Sequence, residues 1–182
     1  MVQRKEYLDQ LISWKDEQVI KVVTGIRRCG KSTLLMQFQQ WLKENGVTQE
    51  QIVSVNFEEL EYEDLLDYKK LHQYLKERLV SGKITYIFLD EIQKVPSFEK
   101  VVDSLYVKPN VDLYITGSNA YMLSGDLATL LTGRYVEIKM LPLSRSGIEK
   151  SRGMQRTSSA VSEKKYGRDR ERLVGKNDRT AQ

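Results

Sequence analysis

Eight consecutive residues near the N-terminus have the types and the spacing needed to bind a polyphosphate. They run from Gly25 to Ser32 and match the pattern G-x-x-x-x-G-K-[ST] at every fixed position. The glycines allow a tight loop whose N–H groups face the phosphates, Lys31 supplies a positive charge, and Ser32 supplies a hydroxyl for magnesium. This is a Walker A motif, and the predicted phosphate-binding residues are Gly25, Ile26, Arg27, Arg28, Cys29, Gly30, Lys31, Ser32 and Thr33.

The residues that flank this loop support the interpretation. Val19–Thr24 is a short β-rich run directly before it, and Ser32–Glu44 carries apolar residues at helical spacing directly after it. Strand, glycine loop and helix is the arrangement that phosphate binding requires, because the helix N-terminus adds positive potential of its own. The alternative is a chance match in an ordinary loop, which these flanks disfavour.

Two adjacent carboxylates, Asp90 and Glu91, follow the apolar run Ile84–Leu89, which is typical of a strand buried on both faces. Ligands bind at the carboxyl edge of such sheets, so both carboxylates are expected beside the phosphate loop. Asp90 is the predicted magnesium ligand together with Ser32, and Glu91 is the predicted general base for a water molecule (a Walker B motif). A solvated acidic turn is the alternative.

Two further side chains are candidates for catalysis. Asn119 follows the predicted strand Val111–Thr116, where a polar group would contact a terminal phosphate or orient water; the alternative is a helix N-cap. Arg134 precedes the predicted strand Tyr135–Met140 and is a candidate arginine finger toward a neighbouring subunit; the alternative is a surface arginine. His72 is predicted to pack on a helix rather than to bind metal, because it has no Cys or His nearby.

Composition restricts the class of protein. A chain of 182 residues with 40% hydrophobic residues suffices for one α/β domain, and a single cysteine excludes an internal disulfide and favours a reducing compartment. The N-terminus has no apolar signal segment, and no run reaches the length of a membrane helix, so we expect a cytoplasmic protein with no membrane partner.

Charge is distributed unevenly along the chain. Residues 144–182 contain 11 Lys and Arg against 5 Asp and Glu, whereas residues 1–143 contain 18 against 20. The basic character therefore belongs to the C-terminal segment, and the body shows no nucleic-acid surface. That segment has few apolar residues and no periodicity, which predicts a disordered tail whose only nucleic-acid binding would be weak and unspecific.

Alternating strands and helices predict a parallel sheet covered on both faces. The predicted fold class is α/β, a P-loop NTPase with a mainly parallel five-stranded sheet flanked by helices, plus the disordered tail. The predicted strands are 19–24, 52–57, 84–89, 111–116 and 135–140, and the predicted helices are 4–15, 32–44, 66–80, 98–106 and 120–131.

In this order, the motifs Thr24–Thr33, Phe88–Gln93, Ile115–Asn119 and Leu131–Tyr135 resemble a prokaryotic AAA+-like P-loop ATPase family. Members of that family usually continue into a second C-terminal domain of unknown function (the DUF4143 type). The resemblance covers about residue 4 to Ser144 and implies an AAA+-type sheet of the ASCE kind that binds ATP with Mg²⁺.

The predicted organisation is a helix over residues 1–16 that leads into the core, a P-loop ATPase domain over 17–144, and a basic tail over 145–182. Since the family pattern stops after Ser144, we expect a truncated or frameshifted product there. The leading hypothesis is Mg-dependent ATP hydrolysis. The alternatives are an ATP-binding or interaction module without turnover and a small-molecule kinase, and association with a second copy or another protein stays open.

Overall fold

The computed structural model describes residues 5–117 and 133–142. The predicted helix over 120–131, Asn119 and the tail over 145–182 lie outside these ranges. All described residues belong to one unit, Arg4–Pro142. Its helices are α1 (Lys5–Ser13), α2 (Lys31–Glu44), α3 (Tyr68–Lys76) and α4 (Phe98–Tyr106), and its strands are β1 (Ile20–Gly25), β2 (Ile52–Asn56), β3 (Thr85–Asp90), β4 (Val111–Gly117) and β5 (Tyr135–Met140).

The five strands form one parallel sheet in the order β2-β3-β4-β1-β5. All carboxyl ends therefore meet at one edge, where the phosphate loop and the Asp90–Glu91 pair both begin. The strand that the chain inserts between the two motifs, β2, is an edge strand. The strand that separates them in space is β4, which comes later in the sequence and pairs with both β1 and β3.

Side chains alternate between the two faces of the sheet and fill a hydrophobic layer on each. On one face, Ile87 and Leu89 of β3 pack with residues of α3 and α4. On the other face, Tyr86 and Phe88 pack with residues of α1 and α2. Because both faces of β3 are buried, apolar residues are favoured at successive positions, and this explains the apolar run at Ile84–Leu89.

The helix after the phosphate loop is fixed to the sheet by aromatic packing. Phe38 of α2 lies 5.0 Å from Tyr114 of β4 between ring centroids, and Tyr114 stacks on Phe88 of β3 at 4.8 Å. Such pairs contribute about 0.5–1.5 kcal/mol each beyond the area that they bury. They hold the middle of α2 against β3 and β4, the two strands that carry the rest of the site.

The sequence prediction of one helix over 66–80 is wrong in extent. The structure has a 3-10 helix at Leu60–Leu66 and then the shorter α3. The break occurs at Asp67, which has an extended backbone and accepts hydrogen bonds from the backbone N–H groups of Lys69 and Lys70. An aspartate in this position is an N-cap, so the helix must begin after it. The other predicted helices and strands within the described ranges agree to within two residues at each end.

A lysine is buried at the amino edge of the sheet, opposite the phosphate loop. Lys21 of β1 is fully buried, and its ammonium lies 2.6 Å from Asp112 Oδ1 of β4. Asp112 also accepts hydrogen bonds from the Tyr114 hydroxyl and from the backbone N–H of Asp16. Desolvation raises the pKa of the Asp112 carboxyl, while the Lys21 charge and these hydrogen bonds act in the opposite direction. The network ties the loop before β1 to the centre of the sheet.

Candidate functional site

The predicted phosphate loop connects β1 directly to α2. Gly30 precedes α2 with φ 96°, a left-handed conformation that favours glycine. Arg28 also has a positive φ of 63°, and the backbone N–H of Cys29 donates to the Ile26 carbonyl over 3.2 Å. The chain therefore makes a compact turn between the strand and the helix, as the glycine spacing predicts.

Only glycine fits at position 25, because the side chain of Cys29 and the backbone of Met140 approach it closely. A Cβ added to it would lie 2.5 Å from Cys29 Sγ and 2.9 Å from the Met140 carbonyl oxygen. Real Cβ atoms do not approach other atoms this closely, so a larger residue would displace β5 or the loop. Cys29 is buried, and its Sγ fills the space beside Gly25 in the interior of the loop.

The N-terminus of α2 suits an anion. Its N-cap residue is Gly30, which has no side chain, so the first N–H groups of α2 receive no side-chain cap within the described residues. Such groups and the helix dipole together attract phosphate oxygens. Ser32 lies exposed on this first turn, where its hydroxyl is accessible to a ligand.

Lys31 is directed toward the second motif. Its side chain is 4% exposed, and its ammonium lies 3.1 Å from Glu91 Oε1 and 3.4 Å from the Gly25 carbonyl oxygen. Lys31 and Glu91 are sixty positions apart in the chain, on either side of β4. The structure therefore brings the two strongest sequence candidates into direct contact at the carboxyl edge of the sheet.

Thr116 of β4 connects the two carboxylate residues. Its hydroxyl donates to Asp90 Oδ1 and accepts a hydrogen bond from the backbone N–H of Glu91 over 2.9 Å. Thr116 is fully buried and Asp90 is 6% exposed. Asp90 is the last residue of β3 rather than the first residue after it. Its carboxylate is thus held in a fixed position at the sheet edge.

Glu91 has an unusual backbone. Its φ of 55° and ψ of 43° place it in the left-handed region just before a 3-10 helix at Ile92–Lys94. Oε1 pairs with Lys31, and Oε2 accepts a hydrogen bond from Gln93 Nε2. The sharp turn at the end of β3 turns the chain away from the strand direction, and the side chain faces the phosphate loop.

The remaining predicted site residues lie elsewhere or outside the described ranges. Arg27 is exposed and pairs with Glu58 over 3.4 Å. Arg134 lies at the amino end of β5, where its carbonyl accepts from Ile20, and its guanidinium pairs with Asp103 over 3.2 Å. The six residues of β5, which rises about 3.3 Å per residue, separate Arg134 from the carboxyl edge of the sheet, where the phosphate loop lies. Arg134 therefore does not reach the loop of its own chain, and its role toward a neighbouring subunit stays a prediction.

Two polar side chains near Glu91 were not assigned individual roles from the sequence, Thr116 and Gln93. In the sequence, Thr116 is only the last residue of a predicted strand, and Gln93 is only part of a motif that carries the resemblance. Their hydrogen bonds depend on the neighbouring strand and on the left-handed turn, which spacing alone does not reveal. His72, in contrast, bonds to Ser104 of α4 over 2.9 Å, as expected for a residue between packed helices.

The donor set suits magnesium held mainly by phosphate oxygens and water. Among the described residues there is no group of three or more His, Cys, Asp and Glu placed to hold a metal. Magnesium commonly takes only one or two protein ligands when it rides on substrate phosphates. Asp90 and Ser32 fit that requirement, while an all-protein metal cage does not occur in this part of the chain.

Within residues 5–117 and 133–142, no helix has the length and apolarity to cross a membrane.

This fold and site define a P-loop NTPase with a AAA-type sheet. A family model described as "AAA domain" matches residues 17–148. The chain belongs to this AAA domain family.

Two curated relatives support the family assignment. An uncharacterized protein from Haemophilus influenzae is 49% identical over 145 residues, which is 79% of this chain and 36% of that protein. Another, Uncharacterized protein MJ1544 from Methanocaldococcus jannaschii, is 34% identical over 126 residues, or 69% of this chain and 27% of its own length. The chain thus spans about a third of the length of these relatives.

Solved structures share the fold at low sequence identity. A DNA polymerase III gamma subunit-related protein from Thermotoga maritima aligns with a TM-score of 0.55 and 7% identity, covering 77% of this chain and 47% of that one. PCH-2 from C. elegans aligns with a TM-score of 0.52 and 14% identity, covering 79% and 44%. These likenesses establish the architecture alone.

Proposed function

We propose that this chain binds Mg-ATP at Gly25–Thr33 and hydrolyses it with Glu91 as the general base. The observation that carries the proposal is the contact between Lys31 and Glu91 at the carboxyl edge of the sheet, next to an Asp90 carboxylate held by Thr116. A phosphate-binding lysine, a metal-binding carboxylate and a basic carboxylate are the groups that phosphoryl transfer to water requires.

The phosphate-binding groups have separate roles. The N–H groups at the start of α2 would hold the phosphate oxygens, and the loop residues from Ile26 to Cys29 would surround them. Lys31 would neutralise charge on the terminal phosphates. Ser32 and Asp90 would hold Mg²⁺, which neutralises developing negative charge when it is bound.

Hydrolysis would proceed by a balanced proton transfer and displacement. Glu91 accepts a proton from a water molecule as the water oxygen forms a bond to the terminal phosphorus. The bond from that phosphorus to the bridging oxygen breaks, and the products are ADP and phosphate. The proton on Glu91 then returns to solvent, which restores the carboxylate.

Other groups would complete the site. Asn119 would orient the water or contact the terminal phosphate, and Arg134 would act on nucleotide bound in a neighbouring copy. The position of Arg134 at the amino edge of the sheet, where it pairs with Asp103, does not let it reach the loop of its own chain. The single cysteine supports a reducing cytoplasmic location.

One neighbouring structure is Drosophila ORC bound to DNA, but at 14% identity it shows the fold alone, and we propose no specific nucleic-acid partner.

Affinity and turnover together test the proposal. Mg-ATP binding is measured by calorimetry and phosphate release by a coupled assay, on the wild-type chain and on Glu91→Gln. Binding with turnover that requires Glu91 supports the proposal. Binding without turnover would leave an ATP-binding module, and absence of binding would refute the loop assignment. Phosphate transfer to added hydroxyl compounds in place of water would favour a kinase.

A further inference from the structure

Glu91 is held by three contacts that come from different parts of the chain. Oε1 contacts the Lys31 ammonium at 3.1 Å, Oε2 accepts from Gln93 Nε2, and the backbone N–H donates to Thr116. The Glu91 side chain is 17% exposed. The carboxylate therefore has one charged partner and one neutral partner, on opposite oxygens.

The orientation of the Gln93 amide is determined by this carboxylate. Its Nε2 faces Glu91, and its Oε1 is buried without a hydrogen-bond partner among the described residues. Reversing the amide would place its oxygen against a carboxylate oxygen, which is repulsive. Gln93 thus donates to Glu91 although its own carbonyl oxygen has no partner among the described residues, so its amide is oriented by the carboxylate.

The two partners of Glu91 respond differently to phosphate. Lys31 belongs to the phosphate loop, so a bound polyphosphate competes with Glu91 for its ammonium. Gln93 lies on the 3-10 helix after β3 and takes no part in the loop. When Lys31 turns to phosphate, the bond to Oε2 is the contact that keeps the carboxylate in place with Oε1 free for water.

We propose that Gln93 is a positioning residue for Glu91, holding Oε2 so that the carboxylate can release Lys31 without losing its orientation. This inference rests on the proposed function, because it concerns the same general base. Gln93 acts through Glu91 and needs no contact with the nucleotide.

The test uses Gln93→Met, which keeps the length of the side chain and removes the donor. We expect kcat to fall roughly tenfold, since hydrogen bonds to charged groups carry effects of this size. Mg-ATP affinity should weaken about threefold, because Glu91 then has no second partner when Lys31 is withdrawn. Gln93→Asn, which keeps the amide but shortens its reach, should show the same losses.

A matched control is available on α3, where Gln73 Nε2 donates to Glu77 Oε1 over 2.6 Å at the exposed surface. Gln73→Met removes a similar hydrogen bond and should change neither kcat nor affinity. Thermal unfolding of each variant identifies loss of folding, and one folded variant at position 93 suffices for the test.

A double-mutant cycle separates positioning from packing. In a Glu91→Ala background, Gln93→Met should no longer change the Mg-ATP dissociation constant, because the carboxylate that it positions is absent. An undiminished effect in that background would show that Gln93 supports the fold alone and would overturn the inference. This binding measurement requires no turnover.

The outcomes also separate this inference from the proposed function. Full activity in Gln93→Met and Gln93→Asn, with a wild-type chain that hydrolyses ATP through Glu91, overturns the positioning role alone. A wild-type chain that binds Mg-ATP without turnover overturns the hydrolysis proposal and the catalytic part of the inference together, while the binding cycle still decides whether Gln93 acts through Glu91.

Discussion

Replacing Glu91 by glutamine tests two roles of one carboxylate. The change keeps the size of the side chain and its capacity to accept a hydrogen bond from Gln93, but it removes the negative charge. Loss of the charge abolishes proton abstraction, and it also frees Lys31 from the ion pair at 3.1 Å. We therefore expect turnover to fall and Mg-ATP affinity to rise.

The expected increase in affinity follows from the geometry of the pair. Two unit charges at this separation attract by about 5 kcal/mol at an effective dielectric constant of about 20. Desolvation of Lys31, which is 4% exposed, and partial exposure of Glu91 offset most of this, leaving on the order of 1 kcal/mol. A phosphate that no longer displaces Glu91 should gain that amount, which is roughly fivefold in affinity. Loss of the general base should lower kcat by roughly 10²–10⁴-fold.

Calorimetry and single-turnover phosphate release measure the two effects separately. Glu77→Gln is the matched control, because Glu77 also accepts a hydrogen bond from a glutamine amide but lies exposed at the C-cap of α3. An unchanged rate in Glu91→Gln would remove Glu91 from the mechanism. Weaker binding in that variant would show that Glu91 assists nucleotide binding rather than competing for Lys31.

Four further outcomes are expected from the same structure. Lys31→Ala should weaken Mg-ATP binding by roughly 10- to 150-fold, the equivalent of about 1.5–3 kcal/mol for a charge-assisted contact; equal affinity by calorimetry would refute the loop assignment. Asp90→Asn should reduce the dependence of ATP binding on magnesium, and an unchanged magnesium titration would contradict its role. Asp112→Ala should lower the free energy of unfolding by about 3–5 kcal/mol, because it leaves the fully buried Lys21 charge unpaired; urea unfolding measures this, and a loss under 1 kcal/mol would refute it. Burial raises the pKa of Tyr86 to about 12, so between about pH 10 and 12 the Tyr86 hydroxyl stays protonated in the folded chain but ionises in the unfolded chain. The free energy of unfolding should therefore be unaffected below about pH 10 and fall between pH 10 and 12, with a smaller fall in Tyr86→Phe.

Helices and strands with a regular apolar repeat and clear turn residues at their ends could be predicted from the local sequence. The exact bounds of α4 and β5 follow from periodicity, because each has a regular apolar repeat between clear turn residues. The helix predicted over 66–80 is too long at both ends: Asp67 caps α3, which begins at Tyr68, and after Lys76 the backbone N–H groups of Arg78 and Leu79 donate to carbonyls three residues back instead of four. Sequence spacing also gave no sign of Lys21 as a core residue, since its partner Asp112 lies 91 positions away.

The sequence by itself determined the phosphate loop and the acidic pair, because both depend on residue types at fixed short spacing. It also implied that both lie at one edge of a parallel sheet, since parallel strands share their carboxyl ends. Only the tertiary structure decided that β4 lies between the two motifs, that Thr116 bridges Asp90 and Glu91, and that Lys31 meets Glu91 at 3.1 Å. The order of strands in a sheet and the side-chain contacts across it arise from packing of the whole domain. No short segment of the chain contains that information.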